Sequence, residues 1–108
     1  MTTIKQKETF RKSFKLTDAK SGMKIDLTGC TAYSEMRREP GGELLGIATC
    51  TVDATKGTID VIWTSSVTAN WAVGNAGYDV WLECEGDKKP IYTETIKIIK
   101  GYTQNVGD

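Results

Sequence analysis

The chain has 108 residues, 39% of them apolar and nine of them aromatic, with fourteen basic and fourteen acidic side chains and no histidine. That is one domain's worth of chain, able to bury a core and well clear of the composition of disorder. With no imidazole, a Ser-His-Asp or Cys-His arrangement and a His-ligated metal are excluded.

No run approaches the roughly 18 apolar residues of a membrane helix. The start, Met1-Thr-Thr-Ile-Lys5, lacks a signal-peptide core, so cytoplasmic synthesis is expected. Charge is spread unevenly: residues 1–24 carry a net +5 and the remainder −5. Lysines along an edge strand block unwanted pairing, which accounts for the basic segment. Electrostatic attraction between copies or partners is the alternative. Nucleic-acid binding is disfavoured, because only Phe10 and Phe14 interleave the basic residues and both fit a core.

In chain order, residues 1–8 read as a loose polar start. Phe10, Lys12, Phe14 and Leu16 then alternate with Arg11, Ser13, Lys15 and Thr17, the two-residue period of a strand. Asp18 to Gly22 is a turn, and Ile25 to Gly29 a short extended piece closed by glycine. Cys30, Ala32, Ser34 and Met36 form the inward set of the next strand, with Thr31, Tyr33, Glu35 and Arg37 outward. Arg38-Glu-Pro-Gly-Gly42 is a loop. Leu44 to Val52 is strand-like without a clear phase. Asp53 to Gly57 turns the chain, and Ile59, Val61 and Trp63 then share a face.

Ser65 to Trp71 breaks the alternation and suits one helical turn near residues 66–72, capped by a hydroxyl, with Val67 and Trp71 plugging one end of the core. Gly77 to Lys100 reads as a β-hairpin: Tyr78, Val80, Leu82 and Cys84 lie on one face, Asp79, Trp81, Glu83 and Glu85 on the other, and Gly86 to Lys89 make the turn. Residues 102–108 read as a frayed end. About seven short strands with turn signals every 8–12 residues argue for an all-β domain over residues 1–108, either a sandwich or a partly open barrel.

Chemistry is sparse. The three cysteines, Cys30, Cys50 and Cys84, have no CxxC spacing and are expected as buried free thiols. No glycine pattern makes a phosphate cradle, and no aspartate spacing makes a calcium loop. Glu83 and Glu85, two apart on one strand face, have the separation of a carboxylate pair, but an open face offers no cleft. The outward Tyr33 and Trp81, flanked by Arg37, Glu83 and Glu85, form the candidate protein-interaction patch, since Trp, Tyr and Arg are enriched at such contacts. No catalytic residue, cofactor or metal ligand is found.

Four pieces in order carry a family resemblance: Phe14 to Gly22; Ile25-Asp-Leu-Thr-Gly-Cys-Thr-Ala32; Gly57-Thr-Ile-Asp-Val61 followed by Ser-Val-Thr-Ala69; and Gly77-Tyr-Asp-Val-Trp-Leu82. The series resembles the small immunoglobulin-like β-sandwich proteins of tailed phages and prophages, and is similar to N-terminal domains of phage upper baseplate proteins. In those proteins an Asp-Leu-Thr-Gly-x-Thr-Ala turn leads into a strand that ends on a basic residue, matched here by Arg37 and Arg38. The resemblance implies an immunoglobulin-like antiparallel sandwich that is a non-enzymatic, virion-associated part of the tail or baseplate. Such a part is made in the bacterial host cytoplasm and acts on other virion or tail proteins, or on further copies of itself. It has no nucleic-acid, membrane or small-molecule partner. The rival is a carbohydrate-binding or adhesive module using Trp81, Tyr33 and Trp71.

Overall fold

The computed structural model describes residues 1–107. It is an all-β sandwich of eight strands and one helical turn: β1 (Thr2–Lys5), β2 (Phe10–Lys15), β3 (Cys30–Arg37), β4 (Leu44–Ile47), β5 (Thr49–Asp53), β6 (Thr58–Trp63), α1 (Ser65–Thr68), β7 (Gly74–Cys84) and β8 (Asp87–Ile99). A five-stranded sheet in the order β1-β8-β7-β3-β4 faces a three-stranded sheet in the order β2-β6-β5. The alternations on β2, β3, β6 and β7 are the cause: each gives a strand with one apolar face, and two such faces close on each other.

Met36, Val80, Ile96 and Ile98 from the larger sheet and Ile59, Val61 and Trp63 from the smaller form the centre of the core, all fully buried or nearly so. Its aromatics pack by edges and offset faces. Phe10 stacks on Trp63 with ring centroids 5.6 Å apart, and Tyr78 meets Trp63 edge-on at 5.0 Å. Tyr78 and Val80 are buried as their phase requires, but Leu82 is only half-buried. It lies toward the far end of the eleven-residue β7, which is longer than the six-residue β2 and β6 of the other sheet.

Several expectations are corrected. Residues 2–5 are not a loose end: β1 pairs in parallel with β8 from Thr2↔Ile96 to Lys5↔Ile99, and Ile4 is 2% exposed. One buried isoleucine supplies the apolar anchor that a polar-looking start conceals. The sandwich is therefore not wholly antiparallel. The segment from Leu44 to Val52 has no single phase because it is two strands in different sheets, divided at Ala48, whose N–H donates to the Ser34 carbonyl. The helical turn lacks its expected side-chain cap. The nearby hydroxyls instead reach across to the β1–β2 connection: Ser65 Oγ donates to the Lys7 carbonyl at 2.6 Å and Thr68 Oγ1 to that of Glu8 at 2.7 Å.

Cys30 and Cys84 are not free thiols. The β3–β7 register sets them directly opposite, with Cα atoms 4.3 Å apart, and they form a disulfide. Alternation puts each on the apolar face of its strand, where both are half-buried. What the alternation could not give was the register that makes them neighbours. Cys50 is the remaining free thiol, and burial raises its pKa.

Candidate functional site

The hairpin of β7 and β8 turns at Glu85-Gly86, where φ is 52° and 85°. Positive φ at both central residues is the geometry of a type I′ turn, whose twist matches that of the flanking strands. This turn starts one residue earlier than the sequence suggests and spans only two, so Asp87, Lys88 and Lys89 belong to β8. Glu85 therefore stands in the loop, away from the strand face, and the Glu83–Glu85 carboxylate pair does not exist.

Registers on both sides of β7 fix the outer face of the five-stranded sheet row by row. Across β3, β7 and β8 the rows are Arg37–Gly77–Thr95, Glu35–Asp79–Thr93, Tyr33–Trp81–Pro90 and Thr31–Glu83–Lys88. A bulge at Ile91 brings Pro90, rather than Ile91, beside Trp81. That half of β8 has no further strand outside it, because β1 covers only residues 96–99, so a proline lacking an N–H is tolerated there. The third row is thus three rings side by side, a ridge across the sheet. Tyr33 is 51% exposed and Trp81 38%.

The ridge is held by charge. Tyr33 donates its hydroxyl to Glu83 Oε1 at 3.1 Å, and that carboxylate raises the tyrosine's pKa. Lys88 Nζ lies 3.8 Å from Glu83 Oε2. Arg37 stands two rows away, fixed by its guanidinium to Glu35 at 2.8 Å and to the Gly42 carbonyl at 2.7 Å. Of the five residues expected in the patch, Tyr33, Trp81 and Glu83 are brought together. Arg37 closes the far end of the same face, and Glu85 is not part of it.

A hollow of about 540 Å³ lies on one side of Trp81, flanked by Glu35, Arg37, Thr93 and Thr95. Gly77 also lines it, and a Cβ added there would lie 3.3 Å from the Glu94 carbonyl. A smaller hollow, about 300 Å³, lies beyond Trp81 against Tyr33, Glu83 and Lys88. Alternation puts Glu35 and Asp79 outward but does not connect them, and it gives no sign of Pro90, Thr93 and Thr95. Their only signal was the register of the hairpin, which follows from the turn. Trp71, the third aromatic of the carbohydrate reading, is 1% exposed and unavailable.

A second polar cluster lies between the sheets. Glu94 accepts from Tyr78 Oη at 2.7 Å and from Thr2 Oγ1 at 2.5 Å, with Lys12 Nζ at 4.0 Å. Burial pushes the Glu94 pKa up, but the two hydroxyls, Lys12 and the N-terminal amine outweigh it and leave it lowered. Burial, then the Glu94 carboxylate, drives the Tyr78 pKa upward. One carboxylate thereby ties β1, β7, β8 and β2 together. Among the described residues no group of His, Cys, Asp or Glu is arranged to hold a metal ion. Nor, among the described residues, is any helix long and apolar enough to cross a membrane.

No family model and no curated protein matches the chain. Among solved structures it is similar to the N-terminal domain of phage TP901-1 ORF48, with a TM-score of 0.50 and 11% identity, over 93% of this chain and 85% of that one. At that identity the likeness is one of fold.

Proposed function

We propose that this protein is a non-enzymatic module of a phage or prophage particle, associated with the tail or baseplate, which docks on other virion proteins. The carrying observation is the sandwich shared with a phage domain over 93% of the chain. The outer face of the five-stranded sheet is the docking surface. Its Tyr33–Trp81–Pro90 ridge supplies rigid apolar area at low entropic cost, and the Glu35, Arg37, Glu83 and Lys88 rim fixes orientation. The open face holds ridges and shallow hollows rather than an enclosed cleft, which favours a macromolecular partner over a small substrate.

Co-expression with the structural proteins encoded beside it, followed by co-purification, tests this. A stoichiometric complex that Trp81→Ala and Tyr33→Ala weaken is expected. Failure to bind any of those proteins, together with specific binding on a glycan array lost in the same two variants, would replace it with the carbohydrate-binding reading.

A further inference from the structure

The two strands of the β7–β8 hairpin present unlike residues in every outward row. In order these are Asn75 with Lys97, Gly77 with Thr95, Asp79 with Thr93, Trp81 with Pro90, and Glu83 with Lys88. Consider two copies packed face to face about a two-fold axis that runs between β7 and β8, parallel to both. Each β7 residue then faces the β8 member of its own row in the other copy. Glu83 meets Lys88 of the second copy, Trp81 meets Pro90, the Asp79 carboxylate meets the Thr93 hydroxyl, and bare Gly77 leaves room for Thr95. Lys97 faces Asn75. No row opposes like charges.

Neighbouring positions of that axis do not share this property. Moved onto β7, it would set Asp79 against Asp79 and Glu83 against Glu83. Moved between β7 and β3, it would set Asp79 against Glu35. Of these three positions of an axis parallel to the strands, charge selects the first, in which Trp81 sits near the centre and Tyr33 reaches past the edge of the facing sheet to the rim.

We propose that the partner of this hairpin face is a second copy of the chain, joined in this two-fold arrangement. The proposal rests on the outer face being the docking surface and names what covers its β7–β8 half, leaving Glu35 and Arg37 for a different contact. Five rows at about 6.8 Å span about 27 Å, and the two strands with their side chains about 15 Å. The resulting footprint of about 400 Å² in projection per copy belongs to the smaller interfaces, so the dimer is weak and reversible. Aligned packing of two sheets at about −30°, crossing at the Trp81–Pro90 row, keeps that row and the adjacent Glu83–Lys88 and Asp79–Thr93 rows in register and lets the Asn75–Lys97 end diverge.

Sedimentation velocity at low salt over a wide concentration range tests it, with circular dichroism to confirm that each variant is folded. The wild type should shift from monomer to dimer, and Trp81→Ala should raise the dissociation constant at least tenfold. Glu83→Lys opposes two ammonium groups across the interface and Lys88→Glu opposes two carboxylates, so each alone should remain monomeric. An equimolar mixture of these two variants should dimerise again, because every facing pair is then of opposite sign. Both substitutions also break the Glu83–Lys88 pair within a chain, but that loss cannot be recovered by mixing. A wild type that stays monomeric at millimolar concentration, or a mixture that does not recover, overturns the dimer. A monomer that still co-purifies with virion proteins would leave the docking function standing, whereas a dimer that binds none of them would do the reverse.

Discussion

The indole N–H of Trp71 donates to the carbonyl of Leu45 at 3.0 Å, and the neighbouring Trp63 does the same to Gly46 at 3.1 Å. Leu45 and Gly46 belong to β4, the edge of the larger sheet, while Trp63 ends β6 in the smaller sheet and Trp71 follows α1. Two fully buried tryptophans thus spend their polar atoms on the carbonyls of one edge strand and clamp it across the sandwich.

This clamp demands a glycine. A Cβ at residue 46 would lie 2.8 Å from Val67 Cγ1 and 3.4 Å from Trp63 Cδ1. Gly46→Ala should therefore destabilise by about 1–3 kcal/mol through overpacking. Adding Val67→Ala should return part of the loss, a coupling that chemical denaturation of the four-member cycle will measure. Additive effects would show that the close approach is relieved elsewhere.

Trp71→Phe keeps most of the packing and leaves the Leu45 carbonyl without its indole partner. A loss of about 1–3 kcal/mol in chemical denaturation is expected for the orphaned group. Ile96→Ala, at a fully buried site, should cost about 2–5 kcal/mol, and Leu82→Ala clearly less, since Leu82 is half-buried.

The pH dependence should centre on Glu94. Its folded pKa is lowered, so its contribution is present above the ordinary carboxylate pKa and is lost as pH falls through the folded value. Glu94→Gln should flatten the decline of melting temperature below about pH 4.5. Hydrogen exchange at Thr3 and Ile4 should rise in the same acid range, because Glu94 tethers Thr2 of β1. An unchanged acid profile in Glu94→Gln would assign the decline to Asp18, Asp26 and Asp53, whose pKa values are lowered by bonds within their own turns.

The Cys30–Cys84 bridge closes a loop with a sequence separation of 54, for which loop-closure entropy gives up to about 4 kcal/mol. Oxidised protein should show one thiol, Cys50, labelled slowly under native conditions. Reduction, or Cys30→Ser with Cys84→Ser, should lower the melting temperature while leaving the strand content intact. Three rapidly titrating thiols in non-reduced protein would show that the bridge does not form.

The sequence by itself determined an all-β domain, its two-faced strands and the outward placement of Tyr33 and Trp81. Side-chain direction in a strand has a period of two, and alternation records it locally. Register is not local. It set Cys30 against Cys84, aligned Tyr33, Trp81 and Pro90 into one ridge, and moved Glu85 off the face into the turn. The same holds for β1, whose four residues become a strand only because β8 offers an edge and the core a place for Ile4. Trp71 gave no sequence signal of its hydrogen bond, because Leu45 lies 26 residues away and only the packing of α1 against β4 brings them together. Alternation fixed which way each side chain points; tertiary pairing decided what it meets there.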